Sequence, residues 1–253
     1  MHAATPTWTT LFIDFEPDAH QRGLAFWRDV TGYAVSATRG ADDEFVTLQP
    51  PEGDGHLRVQ RLGSGETRLH VDVHVADVDA AVPVAEELGA KLVERPAGMP
   101  YAVLTSPGGL TFCLVPSAEL RRAEPVRWPG GHASIVDQLC LDIPPRLYDA
   151  EVTFWNRLTG WTLTRPTPSN EFGRLRRPPE QPVRFLLQRL EDDQDAVTAH
   201  LDLATTDRAA EVARHERLGA RVVQRTDRWT VLADPTGWFY CVTDRDPYLR
   251  MVR

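Results

Sequence analysis

Two histidines in this 253-residue chain, His70 and His200, each stand two residues before an aspartate, Asp72 and Asp202. On a strand, a spacing of two sets both side chains on one face. An imidazole beside a carboxylate can move a proton, so His200 and Asp202 are the candidate catalytic groups. The alternative for both pairs is hydrogen bonding to neighbours in a packed sheet. Other polar residues recur with them. Asp14 returns as Asp142 and Gln60-Arg61 as Gln188-Arg189 at an offset of 128, His70 returns as His200 at 130, and Cys113 returns as Cys241 at 128. Phe26-Trp27 with Phe154-Trp155, Gly32 with Gly160, Asp77 with Asp207 and Gly89 with Gly219 follow the same scheme. Self-similarity over so long a period implies two copies of one unit, too large for a solenoid repeat.

The elements that must position these residues follow from periodicity. Residues 10 to 15 alternate as a strand, with Thr10, Phe12 and Asp14 on one face, and Asp18 to Val30 reads as a helix ended by Thr31-Gly32. Its buried side is expected at Leu24, Trp27 and Val30. Short β-rich runs follow at Tyr33 to Ala37, Phe45 to Gln49 and His56 to Leu62, making β-α-β-β-β. The order restarts at Arg68 to Ala76, with Asp77 as N-cap of a helix reaching Leu88. Pro83 predicts a kink or a late start in that helix. Strands at Lys91 to Glu94, Tyr101 to Thr105 and Leu110 to Val115 complete a second module. The first domain is therefore residues 1–116, with modules at about 8–62 and 68–116. Residues 117–133, rich in Pro and Gly, read as a linker. The second domain, 134–253, repeats the plan with modules at about 134–190 and 198–244. Its loop from Arg165 to Pro182 is expected to be irregular.

Composition narrows the function classes. Formal net charge is -8 with scattered cations, which excludes a phosphate-binding face and so a nucleic-acid partner. No run approaches the roughly 20 apolar residues of a membrane span, and the first ten residues lack a signal-peptide pattern. Three cysteines without CxxC spacing argue against a disulfide framework and a structural zinc site, and fit free thiols in the cytoplasm.

The module order and the phrases Gln60-Arg61-Leu62, Arg68-Leu69-His70-Val71-Asp72 and Val231-Leu232-Ala233-Asp234-Pro235-Thr236-Gly237 ahead of Cys241 resemble the glyoxalase-like domains of the vicinal oxygen chelate superfamily, in tandem form. The likeness covers almost the whole chain. It implies an α+β fold of four βαβββ modules whose curved mixed sheets form cups with helices outside. Relatives pair modules one with two, or one with four, and both arrangements remain open here. The resemblance also implies a divalent metal chelating neighbouring substrate oxygens. Its four ligand positions fall on Thr10, Gln60, His70 and Cys113 in the first half and on Gln138, Gln188, His200 and Cys241 in the second. None of these is a carboxylate.

That absence points to a cup without a metal or other cofactor, because a neutral amide is a weak substitute for a charged oxygen ligand. Zinc held by His200 and Cys241, with Gln138 or Gln188 assisting, is the lesser expectation. An extradiol-type dioxygenase is disfavoured, since its iron needs two histidines and a carboxylate. The second half is richer in pocket-forming types. It sets Gln138, Cys140 and Asp142 near Trp161, Phe172, Trp229 and Trp238, whereas the first offers Thr10, Asp14 and Arg58. Ordinary packing is the alternative for the tryptophans, and core filling for Cys113 and Cys241. Phe26-Trp27 and Phe154-Trp155 read as helix-to-sheet core.

Three functions fit. The first is a small-molecule binding protein like those of bleomycin resistance, monomeric or homodimeric. The second is a lyase or isomerase acting on a small oxygen-rich substrate. The third is a structural module with vestigial cups.

Overall fold

The computed structural model describes residues 4–165 and 171–248. Residues 166–170, part of the loop expected to be irregular, lie outside the described residues.

The first module comprises β1 (Trp8–Phe15), α1 (Pro17–Thr31), β2 (Ala34–Val35), β3 (Phe45–Gln49) and β4 (Leu57–Arg61). The second comprises β5 (Arg68–Val75), α2 (Val78–Glu87), β6 (Lys91–Glu94), β7 (Ala102–Thr105) and β8 (Thr111–Pro116). After β9 (Val126–Arg127), the third holds β10 (Ala133–Ile143), α3 (Tyr148–Thr159), β11 (Thr162–Thr164), β12 (Phe172–Arg176) and β13 (Arg184–Arg189). The fourth holds β14 (Thr198–Thr205), α4 (Arg208–Arg217), β15 (Arg221–Arg225), β16 (Trp229–Ala233) and β17 (Phe239–Thr243).

The chain is α+β, with two open mixed sheets. One runs β2-β3-β4-β1-β5-β8-β7-β6 and the other β11-β12-β13-β10-β14-β17-β16-β15, so the two halves share one strand order throughout. Each sheet joins consecutive modules. β5 with β8 and β14 with β17 pair in parallel, while β3 with β4, β6 with β7, β12 with β13 and β16 with β17 pair antiparallel.

Several boundaries differ from expectation. Within 117–133, β9 pairs with the start of β10. The loop 165–182 contains β12, where Leu175 is buried between exposed Arg174 and Arg176 in strand alternation. The strand expected at 33–37 shortens to two residues. α2 does not start late: Asp77 accepts from the Ala80 N–H at 3.0 Å, so the cap sets the start and Pro83 sits inside the helix. In α1 Leu24 is only half-buried, while Gly23 meets the Phe15 ring so closely that an added Cβ would lie 2.3 Å from it.

By compactness the chain divides into residues 1–11, 69–120 and 139–199 as one unit, and 12–68, 121–138 and 200–253 as the other. In the first unit Phe112 of β8 packs on Phe154 and Trp155 of α3 at 5.6 and 5.5 Å between ring centroids. Trp155 donates its indole N–H to Glu151 Oε1 at 2.8 Å, and the other oxygen of Glu151 accepts the Gly108 N–H at 2.8 Å. Burial raises the pKa of the Glu151 carboxyl despite these bonds.

In the second unit Trp27 of α1 packs on Tyr240 and Trp238, at 5.1 and 6.0 Å, and donates to Asp234 Oδ2 at 3.1 Å. Both repeated tryptophans are therefore core, as expected, and fully buried. Burying such a ring contributes on the order of 4–6 kcal/mol of transfer free energy. The carboxylate each finds is different in kind. Trp155 uses its own helix, and Trp27 a residue 207 positions away.

Behind β17 this unit buries a charged network. Glu211 accepts from Arg214 Nε at 2.9 Å and Nη2 at 2.8 Å and from Ser134 Oγ at 2.6 Å; His132 and His215 place Nε2 at 2.8 and 3.1 Å from it. Arg214 also donates to the Asp29 and Val30 carbonyls that end α1 and lies 3.5 Å from the centroid of the Trp128 ring.

Candidate functional site

In the first half β5 presents His70, Asp72 and His74 on one face. The His70 Nε2 lies 3.7 Å from Asp72 Oδ1. Parallel register sets Asp72 beside Cys113 of β8, and the donor atoms of His70, Asp72 and Cys113 lie within 4.8 Å of one another. Thr10 is engaged elsewhere. Its hydroxyl is 3.0 Å from His74 Nε2, while His74 Nδ1 is 3.1 Å from the Pro116 carbonyl. A carbonyl only accepts, so Nδ1 donates to it. Asp14 pairs with Arg68 at 3.6 Å. Gln60 lies on β4 of the other compact unit, and Arg58, also on β4, sits 5.4 Å from the centroid of the Phe12 ring.

The second half keeps the His-Asp-Cys arrangement and changes its surroundings. His200 Nε2 is 3.3 Å from Asp202 Oδ1. Gln138 Nε2 donates to Asp202 Oδ2 at 2.5 Å, where the first half has Thr10 turned to His74. Asp202 is in register with Cys241, and His200, Asp202 and Cys241 again have donor atoms within 4.8 Å. The His200 side chain is 18% exposed against 9% for His70, so the second imidazole is the more accessible.

The other expected pocket residues separate into groups. Trp229 lies on β16 opposite Thr243, and Val231 opposite Cys241, which sets Trp229 on the Cys241 face. Cys140 donates to Gln188 Oε1 at 3.6 Å and lies 3.9 Å from Asp142 Oδ1, and Phe172 stands opposite Gln188 on the paired strands β12 and β13. Gln188 also borders an open cleft of about 870 Å³ with Glu171, Arg189, Glu191, Asp192 and Gln194. Trp161 and Trp238 are packed elsewhere. Trp161 is buried against Phe185 at 5.4 Å, and Trp238 sits edge-on to Trp27 at 6.0 Å. Cys113, Cys140 and Cys241 are all buried and none forms a disulfide.

Two features escape a reading of the sequence by ligand position. Counting ligands only at the four strand positions leaves no carboxylate, yet Asp72 and Asp202, two residues further along the same strands, bring one to each cluster. The signal is the His-x-Asp spacing itself. Phe239 is the other. It is 52% exposed and, two residues before Cys241, shares its face; extending the alternation of β17 back from Cys241 finds it.

One imidazole, one carboxylate and one thiol are donor types that zinc accepts, with water as a fourth ligand. A harder ion is suited less well by the sulfur. The residues thus fit a borderline ion.

A family model described as a glyoxalase-like domain matches the chain twice, over residues 10–115 and 138–243. No curated protein matches it significantly. Among solved structures, the chain is similar to the Mn(II)-bound glyoxalase from Novosphingobium aromaticivorans, with 17% identity and TM-score 0.67 over 96% of this chain and 82% of that one. It is similar also to homoprotocatechuate 2,3-dioxygenase from Arthrobacter globiformis, at 14% identity and TM-score 0.65 over 96% and 81%. A third likeness is to a xylose isomerase-like TIM barrel/4-hydroxyphenylpyruvate dioxygenase fusion protein, at 13% identity and TM-score 0.61 over 96% of this chain; the chain spans about half of that protein, 48%. At these identities the likeness is one of fold.

Proposed function

The chain belongs to the glyoxalase-like domain family, and from that premise we propose that it binds a small molecule on the sheet face carrying Gln138, His200, Asp202 and Cys241, without a resident metal. The observation that carries this reading is the Asp202 carboxylate, which accepts from Gln138 at 2.5 Å and stands 3.3 Å from His200. Gln138 occupies one carboxylate oxygen, and the other stands within ion-pair distance of the imidazole without accepting a hydrogen bond from it. A partly exposed imidazole can donate to or accept from a ligand, or exchange a proton with it. The first half supports ligand binding less well, since Thr10 is tied to His74 and His70 is more deeply covered. Three buried cysteines outside any disulfide suit a cytoplasmic setting, and the protein is proposed to act there as a monomer or homodimer.

A thermal-shift and tryptophan-fluorescence screen with small aromatic compounds tests this reading. A ligand at 100 times its Kd should stabilise the fold by about 2.7 kcal/mol. His200→Ala should weaken the response and His70→Ala should leave it largely intact. Equal loss from both changes would overturn the assignment to the second half.

A second reading rests on the mutual proximity of His200, Asp202 and Cys241, which would serve as zinc ligands in a glyoxalase-like lyase or isomerase. Bound there, zinc would supply Lewis-acid polarisation of a substrate oxygen. Each described His-Asp-Cys cluster holds a single histidine, so the two-histidine iron site of a dioxygenase is not proposed. Elemental analysis of purified protein decides between the readings. Zinc near one per chain, lost in His200→Ala and weakened at low pH as the thiolate is protonated, would favour the second.

A further inference from the structure

Phe239 and Arg221 lie in one row across three adjacent strands of the second sheet. In the antiparallel registers Phe239 of β17 stands opposite Ala233 of β16, and Ala233 opposite Arg221 of β15. Directly opposed residues share a face. The same face carries Cys241, two residues from Phe239, and Asp202, in register with Cys241. One step back along the parallel pair, His200 falls beside Phe239. The row therefore reads His200, Phe239, Ala233, Arg221.

Each member has a property that a ligand would use. Phe239 is a large apolar ring left 52% exposed beside a polar cluster. Ala233 is buried and small, so its own methyl adds little bulk between the ring and the next strand. Arg221 is exposed and makes no ion pair among the described residues, in a chain of net charge -8 where acidic partners are plentiful. Strand spacing puts the Phe239 and Arg221 backbones roughly 10 Å apart, a gap that one small planar molecule and the arginine side chain together can span. The first half has no equivalent platform. Its corresponding row is His70, Thr111, Thr105 and Lys91, with a cation at its end and no aromatic ring.

We infer that Phe239 and Arg221 set the specificity of this site for a planar, anionic small molecule, its ring system against Phe239 and its charged oxygens on the guanidinium. Aromatic faces stack favourably in offset geometry, and a guanidinium pairs oxygen anions bidentately where an ammonium cannot. The inference rests on the proposed binding role of the second half.

Isothermal titration of the intact protein with three probes tests it: trans-cinnamate, its neutral amide, and the saturated acid 3-cyclohexylpropanoate. Cinnamate should bind at least tenfold more tightly than either of the others. Arg221→Gln should abolish the preference for acid over amide, and Phe239→Leu the preference for planar over saturated acid. Lys91→Gln should change neither. Circular dichroism and melting temperature verify that the exposed-site variants fold. Equal binding of acid and amide, both lost in His200→Ala, would overturn this inference while leaving the binding role intact. Absence of binding by all three probes, with other aromatic ligands still bound through His200, would also overturn it. Absence of any ligand response in the second half would remove the binding role itself.

Discussion

Glu211→Gln tests whether the buried charge behind β17 is structural. Glu211 is fully buried and accepts from the Arg214 guanidinium at 2.8 and 2.9 Å and from Ser134 at 2.6 Å, with two imidazoles within 3.1 Å. Glutamine keeps the volume and one acceptor oxygen but removes the charge, while Arg214 stays ionised at any relevant pH. A buried cation would then rest on the Asp29 and Val30 carbonyls and the Trp128 ring. Breaking one side of a buried pair costs about 3–5 kcal/mol. For a chain of this size, a urea m-value of ~3 kcal/mol/M makes that a fall of about 1 to 1.7 M in the unfolding midpoint, read by tryptophan fluorescence. Removing both charges in Glu211→Gln/Arg214→Met should recover part of the loss, since an apolar replacement of a whole buried pair is often near neutral. The exposed Arg95–Asp79 pair is the control, and Asp79→Asn should cost about 0–1 kcal/mol. A single-variant cost below about 1 kcal/mol, or a double variant with strictly additive losses, would refute the reasoning.

Stability should fall between pH 7 and pH 5. Burial holds the pKa of His215 below the ordinary imidazole value and, together with the Arg61 charge, does the same for His20. The unfolded chain then binds protons first as pH drops through about 6.5, so stability declines with pH, and a flat melting temperature over this window would contradict the sign. Glu211 adds a second loss at lower pH. Burial alone would raise its pKa, but hydrogen bonds and charges from Arg214 and His215 hold it well below the carboxylate range, and its contribution disappears as pH falls through that folded value. The matched caps Asp77 and Asp207, each accepting an N–H at 3.0 Å, should lose about 1 kcal/mol apiece on mutation to alanine; a difference of more than about 1 kcal/mol between them in urea unfolding would show that the two repeats do not share cap energetics. Gly23→Val should destabilise by about 1–3 kcal/mol through its clash with Phe15, and an unchanged midpoint would mean the ring yields freely.

Features that depend on near neighbours are legible in the order of residues. The offset repeat requires two halves of like strand order, and both halves have it. The helix ends at Gly32 and Gly160, with φ of 68° and 67°, follow from glycine's tolerance of the left-handed conformation. Strand alternation places each His with its Asp. Near-neighbour patterns mislead where a competing local signal is stronger. Pro and Arg around β12 mask a five-residue alternation, and β9 is hidden in a segment that composition marks as linker.

Pairings between distant segments are beyond the reach of such patterns. Nothing in the residues around Trp27 names Asp234 as its acceptor; Trp155 bonds Glu151 of its own helix, at the position where the first half has Gly23. Likewise, the choice of Thr10 for His74, of Gln138 for Asp202, and the row from His200 to Arg221 depend on which strands lie side by side. Spacings of two to four residues are enough to specify the modules, their order and the faces of their strands, because each of these is a local periodicity. Which modules share a sheet, and which carboxylate meets which partner, is settled by packing in three dimensions, because residues brought together from far along the chain leave no periodic signature within either segment.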